Sequence, residues 1–232
     1  MGKVATTGML TGHWTYRIYP GIISLVGKLL FRRGHEVPRR DGDRYFHFTT
    51  RKLIEAAGVL LRCAAARRMK YLRLVKLLYI ADRDSLAETG WPIAGGEPVA
   101  MDNGPVDSKV LDLVKQTGRR SHEDRQAWSS CIDTDGMDVV MVVDPGTKSL
   151  SPYEVAKLKD VYRRYRSIHR YSVRDLTHEF PEWKENWVQG SSRPIPLEDI
   201  VRAVGRTDDL DEITAMAEEV SAIDSLSGVN PR

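Results

Sequence analysis

The sequence predicts an α+β fold: a mostly helical single domain around a buried central helix, with one small β-hairpin. The central helix is indicated by Tyr71–Thr89, a segment that is apolar on nearly every side. Apolar residues also recur at helical spacing from Thr49 onward, whereas only two short segments have the character of strands. With 41% hydrophobic and 29% charged residues among 232, the chain has the composition of an ordinary globular protein.

The first regular helix is predicted to begin at Thr49 or Thr50, because a threonine side chain can cap a helix start. Its inner face carries apolar residues at helical spacing, which are Leu53, Ala57, Leu60, Leu61 and Ala64. The central helix follows and is expected to end at Gly90. Glycine suits a helix end, and Pro92 prevents the helix from continuing.

A Gly/Pro-rich loop connects the central helix to Gly104, and Pro105 is expected at the first position of the next helix. We expect that helix to end at Gly118. The predicted hairpin follows, with strands near Ala127–Ile132 and Asp138–Val143 and an Asp-Gly turn between them.

The last third of the chain is predicted to be helical. Ser151 followed by Pro152 and Glu154 is a strong helix start, because serine and glutamate in this spacing form a capping box. Four further helices are expected after it, at about Ser172–Glu179, Trp183–Trp187, Leu197–Val204 and Asp208–Asp224.

Charge and regularity divide the chain into three parts. Residues 1–47 are predicted to be an N-terminal extension that is partly ordered at most, residues 48–190 the main domain, and residues 191–232 a helical acidic tail. The first 80 residues hold 16 Lys and Arg against 4 Asp and Glu, whereas residues 191–232 hold 4 against 9. The basic first third of the chain can bind phosphates, an acidic protein or the acidic remainder of this chain.

The residues that commonly carry catalysis do not form a recognised pattern. The six histidines are dispersed, and the two cysteines cannot by themselves complete a four-ligand zinc site. Cys63 lies among Ala and Leu, where a free cysteine is usually a small hydrophobic residue and not a nucleophile. We therefore predict a protein that is not an enzyme and that needs no cofactor or metal. The sequence also predicts a cytoplasmic location without a membrane segment.

Several ordered motifs resemble the SocA-like, or Panacea, antitoxin domain family over roughly residues 48–190. The central helix holds Leu77-Leu78-Tyr79-Ile80-Ala81-Asp82-Arg83, which is similar to the family's Leu-Leu-Tyr-x-Ala-Asp-Arg helix. Further landmarks follow in the family's order, and they are Gly90-Trp91-Pro92-Ile93-Ala94-Gly95, Val99-Ala100, Gly104-Pro105-Val106, Leu176-Thr177-His178-Glu179 and Trp183-Lys184.

The resemblance implies an antitoxin of a type II toxin–antitoxin system, a bacterial protein that binds and neutralises a cognate protein toxin. It also implies a proteolytic adaptor role in some members, which deliver the toxin to a Clp-type protease. The alternative is a nucleic-acid-binding regulatory protein, motivated by the basic first 80 residues. No helix-turn-helix and no aromatic platform stands out, so the sequence disfavours a nucleic-acid partner.

The loop from Gly90 to Pro105 and the adjacent end of the central helix are expected near the partner surface, because this loop holds apolar residues without helical burial. The toxin-binding candidates are Asp82, Arg83, Trp91, Ile93, Met101, Gly104, Pro105, His178 and Trp183. For Asp82 and Arg83 the other interpretation is structural ion pairing or loop capping. For His178 it is a hydrogen-bonded structural histidine.

Overall fold

Helices dominate the computed structural model, which describes residues 45–117 and 121–226 of the chain. The elements before the second hairpin are α1 (Thr50–Cys63), a 3-10 turn (Ala65–Arg67), β1 (Arg68–Lys70), α2 (Tyr71–Thr89), β2 (Pro98–Met101), β3 (Gly104–Asp107), α3 (Ser108–Lys115) and α4 (His122–Cys131). They are followed by β4 (Ile132–Asp135), β5 (Asp138–Met141), α5 (Pro152–Tyr165), α6 (Arg170–Thr177), α7 (Pro181–Asn186), β6 (Arg193–Pro194), α8 (Leu197–Ala203), a 3-10 turn (Thr207–Asp209) and α9 (Leu210–Leu226). The predicted α+β class, mostly helical, is confirmed.

The central helix α2 has the predicted bounds. Gly90 adopts the left-handed conformation at φ 74° and its N–H donates to the carbonyl of Leu86, which ends the helix as glycine commonly does. Most of α2 is buried, and helices α1, α5 and α6 pack around it. This arrangement makes α2 the scaffold to which the rest of the fold is attached.

Two small antiparallel sheets flank the helices. One has the strand order β1-β5-β4 and contains the predicted hairpin, in which Thr134 pairs with Val139. The other has the order β3-β2-β6 and is a second hairpin that the sequence did not indicate. Ala100 of β2 pairs with Pro105 of β3 on one side and with Arg193 of β6 on the other.

Two predicted elements are wrong, and the predicted threonine cap of α1 is also wrong, since the side chain of Thr49 accepts no capping hydrogen bond. Pro105 lies in β3 and does not begin a helix, because Gly104 at φ 85° turns the chain back along β2. The helix begins only at Ser108, where the side chain of Asp107 accepts the N–H of Val110. The expected strand Ala127–Ile132 belongs mostly to α4, whose start is capped by Ser121. The predicted helix end at Gly118 lies outside the described residues.

The core consists of two clusters of buried side chains. The larger joins α1, α2, α3, α5 and the β4–β5 hairpin, and includes Leu60, Leu77 and Trp128. The smaller joins Phe46 to β2, α7, α8 and α9, and includes Ile195 and Ile213. Because Phe46 is only 5% exposed, the folded part of the chain includes the end of the segment predicted as an extension. Residues 1–44 lie outside the described part.

Candidate functional site

Asp82 is attached to the loop that follows the central helix. Its Oδ1 accepts the backbone N–H groups of Ile93 at 3.1 Å and Ala94 at 3.0 Å. Burial raises the pKa of Asp82 to about 7, although these two hydrogen bonds act in the opposite direction. In this position the carboxyl group fixes the path of the loop.

Arg83 is attached to α7 through the fully buried Glu182. Its Nε lies 2.8 Å from Oε1 of Glu182, and its guanidinium lies over the ring of Phe180, 4.2 Å from the centroid. The hydroxyl of Tyr79 donates to the same carboxylate oxygen at 3.1 Å. Burial and the neighbouring carboxylate raise the pKa of Tyr79 well above its usual value, so the phenol stays protonated. The polar end of the Leu-Leu-Tyr-x-Ala-Asp-Arg helix therefore holds α2, α7 and the loop together.

Trp91 and Ile93 pack against the protein. The ring of Trp91 lies 4.6 Å from that of Phe46, and Ile93 is only 2% exposed. The apolar residues of this loop are thus covered by tertiary contacts, which corrects the expectation that they lack burial. The difference from the expectation is largest for Ile93, whose side chain belongs to the larger core cluster.

The β2–β3 turn lies against the C-terminal end of α6. A Cβ atom at Gly104 would come within 2.7 Å of Oγ1 of Thr177 and 2.9 Å of Nζ of Lys76, so only glycine fits there. Lys76 itself is fully buried in α2, and its Nζ donates to the carbonyl oxygen of Pro105 at 2.6 Å. The turn is therefore supported from beneath by a lysine side chain.

Three aromatic side chains, which we call the ring stack, continue from this contact to the surface. The ring of His178 is nearly parallel to that of Trp183, with centroids 4.2 Å apart, and Trp187 stacks on Trp183 at 5.3 Å. Trp183 is 8% exposed and Trp187 is 38% exposed. The stack thus runs from the interior to solvent.

Both indole N–H groups of the ring stack bond to the β2–β3 turn. Nε1 of Trp183 donates to the carbonyl oxygen of Met101 at 3.0 Å, and Nε1 of Trp187 donates to Oδ1 of Asp102 at 3.0 Å. Asp102 also accepts the N–H of Gly190. Because the polar atoms of the indoles are satisfied, the exposed part of Trp187 is an apolar contact area.

The titratable groups beneath the turn favour their neutral forms. Burial lowers the pKa of Lys76 well below its usual value, and the charge of Arg174 lowers it further. Burial also lowers the pKa of His178, with Lys76 and Arg174 acting in the same direction. Within the described part of the chain, no carboxylate forms an ion pair with Lys76.

The structure brings Met101, Gly104, Pro105, His178 and Trp183 together, and places the other four candidates elsewhere. Lys76, Thr177 and Trp187 contact them but were not among the candidates, although Thr177 belongs to one of the family landmarks. A lysine inside an otherwise apolar helix is the signal that could have drawn attention to Lys76, because lysine is rarely fully buried.

A concave region also lies beside Asp82. A cavity of about 50 Å³ is lined by Asp82 and by Asp107, whose pKa burial raises to about 6. This volume suits a few water molecules and is too small for an organic substrate. Among the described residues, no group of three or more His, Cys, Asp or Glu side chains is arranged to hold a metal ion.

These features define a mostly helical protein with a stack of three aromatic rings that extends from the interior to the surface. Residues 74–184 match the family model described as antitoxin SocA-like, Panacea domain. The match spans α2 to α7, so it includes Lys76, the β2–β3 turn and two of the three rings of the ring stack. It confirms the resemblance seen in the sequence and supports an antitoxin role, with a cognate toxin as the general kind of partner.

No match to the chain is found among curated proteins or solved structures. In the part of the chain that the structure describes, none of the helices combines the length and the apolar character needed to cross a bilayer.

Proposed function

We propose that the chain is an antitoxin of a type II toxin–antitoxin system that acts in the bacterial cytoplasm by binding a cognate protein toxin directly. The observation that carries the proposal is the meeting of family landmarks that are distant in sequence. The β2–β3 turn with Gly104-Pro105 contacts Thr177-His178, and Trp183 bonds to the same turn. The role proposed for this surface is recognition, without catalysis.

The exposed end of the ring stack is suited to such recognition. Trp187 is 38% and Val188 45% exposed, and they lie next to the polar tip of the turn at Asp102. Tryptophan residues held rigidly at a surface often contribute most of the binding free energy of an interface, since they bury a large area at a small entropic cost. We therefore place the centre of the toxin contact at Trp187.

The remaining candidates have supporting roles in this proposal. Asp82 and Arg83 fix the loop and α7, and α7 in turn carries Trp183. Trp91 covers Phe46, and Ile93 fills the core. Substitutions at these four positions are expected to act through the stability of the fold, whereas substitutions on the ring stack act on binding.

Growth experiments test the proposal. Expression of the product of the neighbouring gene alone is expected to stop growth, and co-expression of this chain to restore it. Trp187→Ala is expected to weaken toxin binding by more than about 1 kcal/mol, with the melting temperature nearly unchanged. The matched control is Tyr171→Ala, an exposed aromatic residue on α6 that is not part of the ring stack. Arrest that co-expression does not relieve, without a complex in pull-down, would contradict the proposal.

For the mechanism we propose a proteolytic adaptor for a Clp-type protease in preference to simple occlusion. An adaptor needs one surface for its cargo and another for the protease. The second surface that we propose is the outer side of α9 with the 3-10 turn before it. Asp208 in the turn and Asp211, Glu212 and Glu218 on the helix are exposed, while Ile213 and Ala217 on the inner side of the helix are buried. We expect toxin half-life after translation arrest to shorten only in cells that contain the protease. Equal toxin lifetimes in both strains, with growth still protected, would leave occlusion as the mechanism.

Nucleic-acid binding is the second candidate function, because three basic side chains in the α5–α6 region favour it. Lys159 on α5, Arg166 just after α5 and Arg170 at the start of α6 form no ion pair with any described residue, although Arg170 lies over the ring of Tyr171. Cations without a carboxylate partner bind phosphates with a strong dependence on salt. If this function is real, affinity for a 20-base-pair duplex will fall by at least about tenfold between 50 and 200 mM salt, and neutralising the three cations will flatten that dependence. Lack of binding at 50 mM salt would remove the candidate.

A further inference from the structure

We infer that Lys76 is a positioning residue for the toxin-binding surface: from inside the core it fixes the β2–β3 turn and, through that turn, the ring stack. The inference rests on the proposed function, since it concerns the same surface. It assigns a role to a side chain that lies in the core and contacts this surface only from within, at the backbone of the turn.

The first step is the contact of the lysine with the turn. Nζ of Lys76 lies 2.6 Å from the carbonyl oxygen of Pro105, and this is its hydrogen bond to the backbone of β3. Lys76 is fully buried on α2, the most extensively packed helix of the fold. A rigid helix therefore holds the β3 end of the turn in place.

The second step is the connection from the turn to the rings. Met101, at the β2 end of the same turn, accepts the indole N–H of Trp183, and Asp102 accepts that of Trp187. The two tryptophans bond to backbone or side-chain oxygens whose positions the turn sets. A shift of the turn would therefore move or release both rings.

The third step is the close fit around the amine. Nζ of Lys76, the hydroxyl of Thr177 and the ring of His178 all face the α-carbon of Gly104, so that an added Cβ at Gly104 would approach all three within 3 Å. The turn thus contacts Lys76 on one side and α6 on the other. His178, which faces the same glycine, also stacks on Trp183, so the turn is connected to the ring stack through α6 as well.

The alternative is that Lys76 only fills space in the core. A side chain that only fills space would be replaced well by an apolar one of equal length, whereas a buried lysine without a carboxylate partner costs free energy because its charged form is disfavoured. A buried residue that lowers the stability of the fold is typical of a functional site.

The test compares Lys76→Met, which keeps an unbranched side chain but lacks the terminal amine, with Leu74→Met, another fully buried position on α2. Each full-length variant is examined by thermal unfolding, near-ultraviolet circular dichroism and affinity for the neighbour-encoded protein. We expect Lys76→Met to unfold at the same or a higher temperature, to lose part of the aromatic dichroism of the stacked rings and to bind at least tenfold more weakly. Leu74→Met is expected to keep wild-type dichroism and affinity.

A second variant approaches the same contact from the turn. In Gly104→Ala the new methyl group meets Nζ of Lys76, so we expect the same loss of dichroism and affinity. A folded Lys76→Met, or a folded Gly104→Ala if the first variant does not fold, with wild-type dichroism and affinity would overturn the inference. If the wild-type chain itself does not bind the neighbour-encoded protein, the proposed function fails, and the dichroism of the variants still decides whether Lys76 positions the rings.

Discussion

At the scale of single residues, Glu182 shows how hydrogen bonds and an ion pair offset the cost of burying a charge. Its carboxylate is fully buried, yet it receives hydrogen bonds from Tyr79 and from the guanidinium of Arg83. The pair joins α2 to α7, two helices about 100 positions apart in sequence. Removing one partner of such a pair leaves the other charge buried and uncompensated.

We expect Glu182→Ala to lower the free energy of unfolding by about 3 kcal/mol, because the partly buried Arg83 would lose its counter-ion and Tyr79 its buried acceptor. Denaturant titration measures the change. Glu179→Ala, which removes the exposed partner of Lys184, is the control and should cost less than about 1 kcal/mol. Similar costs for the two variants would show that the Glu182 pair contributes no more than a surface ion pair.

Lys76 leads to a prediction about pH. Its pKa is lowered in the folded chain, so between the folded pKa and the ordinary value of 10.5 the unfolded chain binds a proton that the folded chain rejects. Stability therefore rises with pH over this range, by about 1.4 kcal/mol per pH unit for one proton. Comparing the free energies of unfolding of wild type and Lys76→Met at pH 8 and pH 9.5 isolates this effect. We expect the wild type to gain on the variant as pH rises, and a constant difference would mean that Lys76 is protonated in the fold.

At the scale of elements, helix α5 has the cap that the sequence predicts. Oγ of Ser151 accepts the N–H of Glu154 at 3.2 Å, and Oε2 of Glu154 accepts the N–H of Ser151 at 2.7 Å. Ser151→Ala is expected to cost about 1 kcal/mol of stability, measured by denaturant titration. Ser129→Ala, at an exposed position inside α4, is the control and should change stability by less than about 0.5 kcal/mol. A loss at Ser151 no larger than at Ser129 would show that the cap contributes nothing.

The sequence predicted correctly those helices whose bounds depend only on neighbouring residues. The bounds of α2 follow from an apolar segment and a terminal glycine, and both can be recognised within one short segment of the sequence. The β2–β3 hairpin was missed because its strands are held by distant groups, such as the amine of Lys76 beneath Pro105. The start of α4 was missed because the apolar residues before Ile132 resemble a strand, whereas the cap at Ser121 decides the conformation.

The candidate site was predictable only in part for the same reason. Family landmarks drew attention to His178 and Trp183, but nothing local indicates that Lys76 lies beneath Gly104 or that Asp102 receives the N–H of Trp187. These contacts join positions 28 or more residues apart, and only the folded chain brings them together. Burial reverses the expectation for Ile93, since a loop residue can still be a core residue.

At the scale of the whole molecule, the segment after residue 190 takes part in the core. Ile195 is fully buried in the smaller cluster, and its N–H donates to the carbonyl of Pro98 at 2.8 Å. Ile195→Ala should therefore lower the free energy of unfolding by about 3 kcal/mol. Ile223→Ala, on an exposed position of α9, is the control and is expected to have an effect below about 1 kcal/mol. A negligible effect at Ile195 would mean that this segment unfolds independently of the rest.

The prolines of the β3-β2-β6 sheet limit the way in which a partner can attach. Both outer strands carry one, Pro105 in β3 and Pro194 in β6, and proline has no N–H to offer a further strand. The carbonyl of Pro105 is already bonded to Lys76, and Ile195 directs its N–H inward to β2. The sheet is therefore closed to strand addition along both margins. A toxin that binds here as proposed would contact side chains and not the strand edges, so its recognition would depend on the identity of a few surface residues.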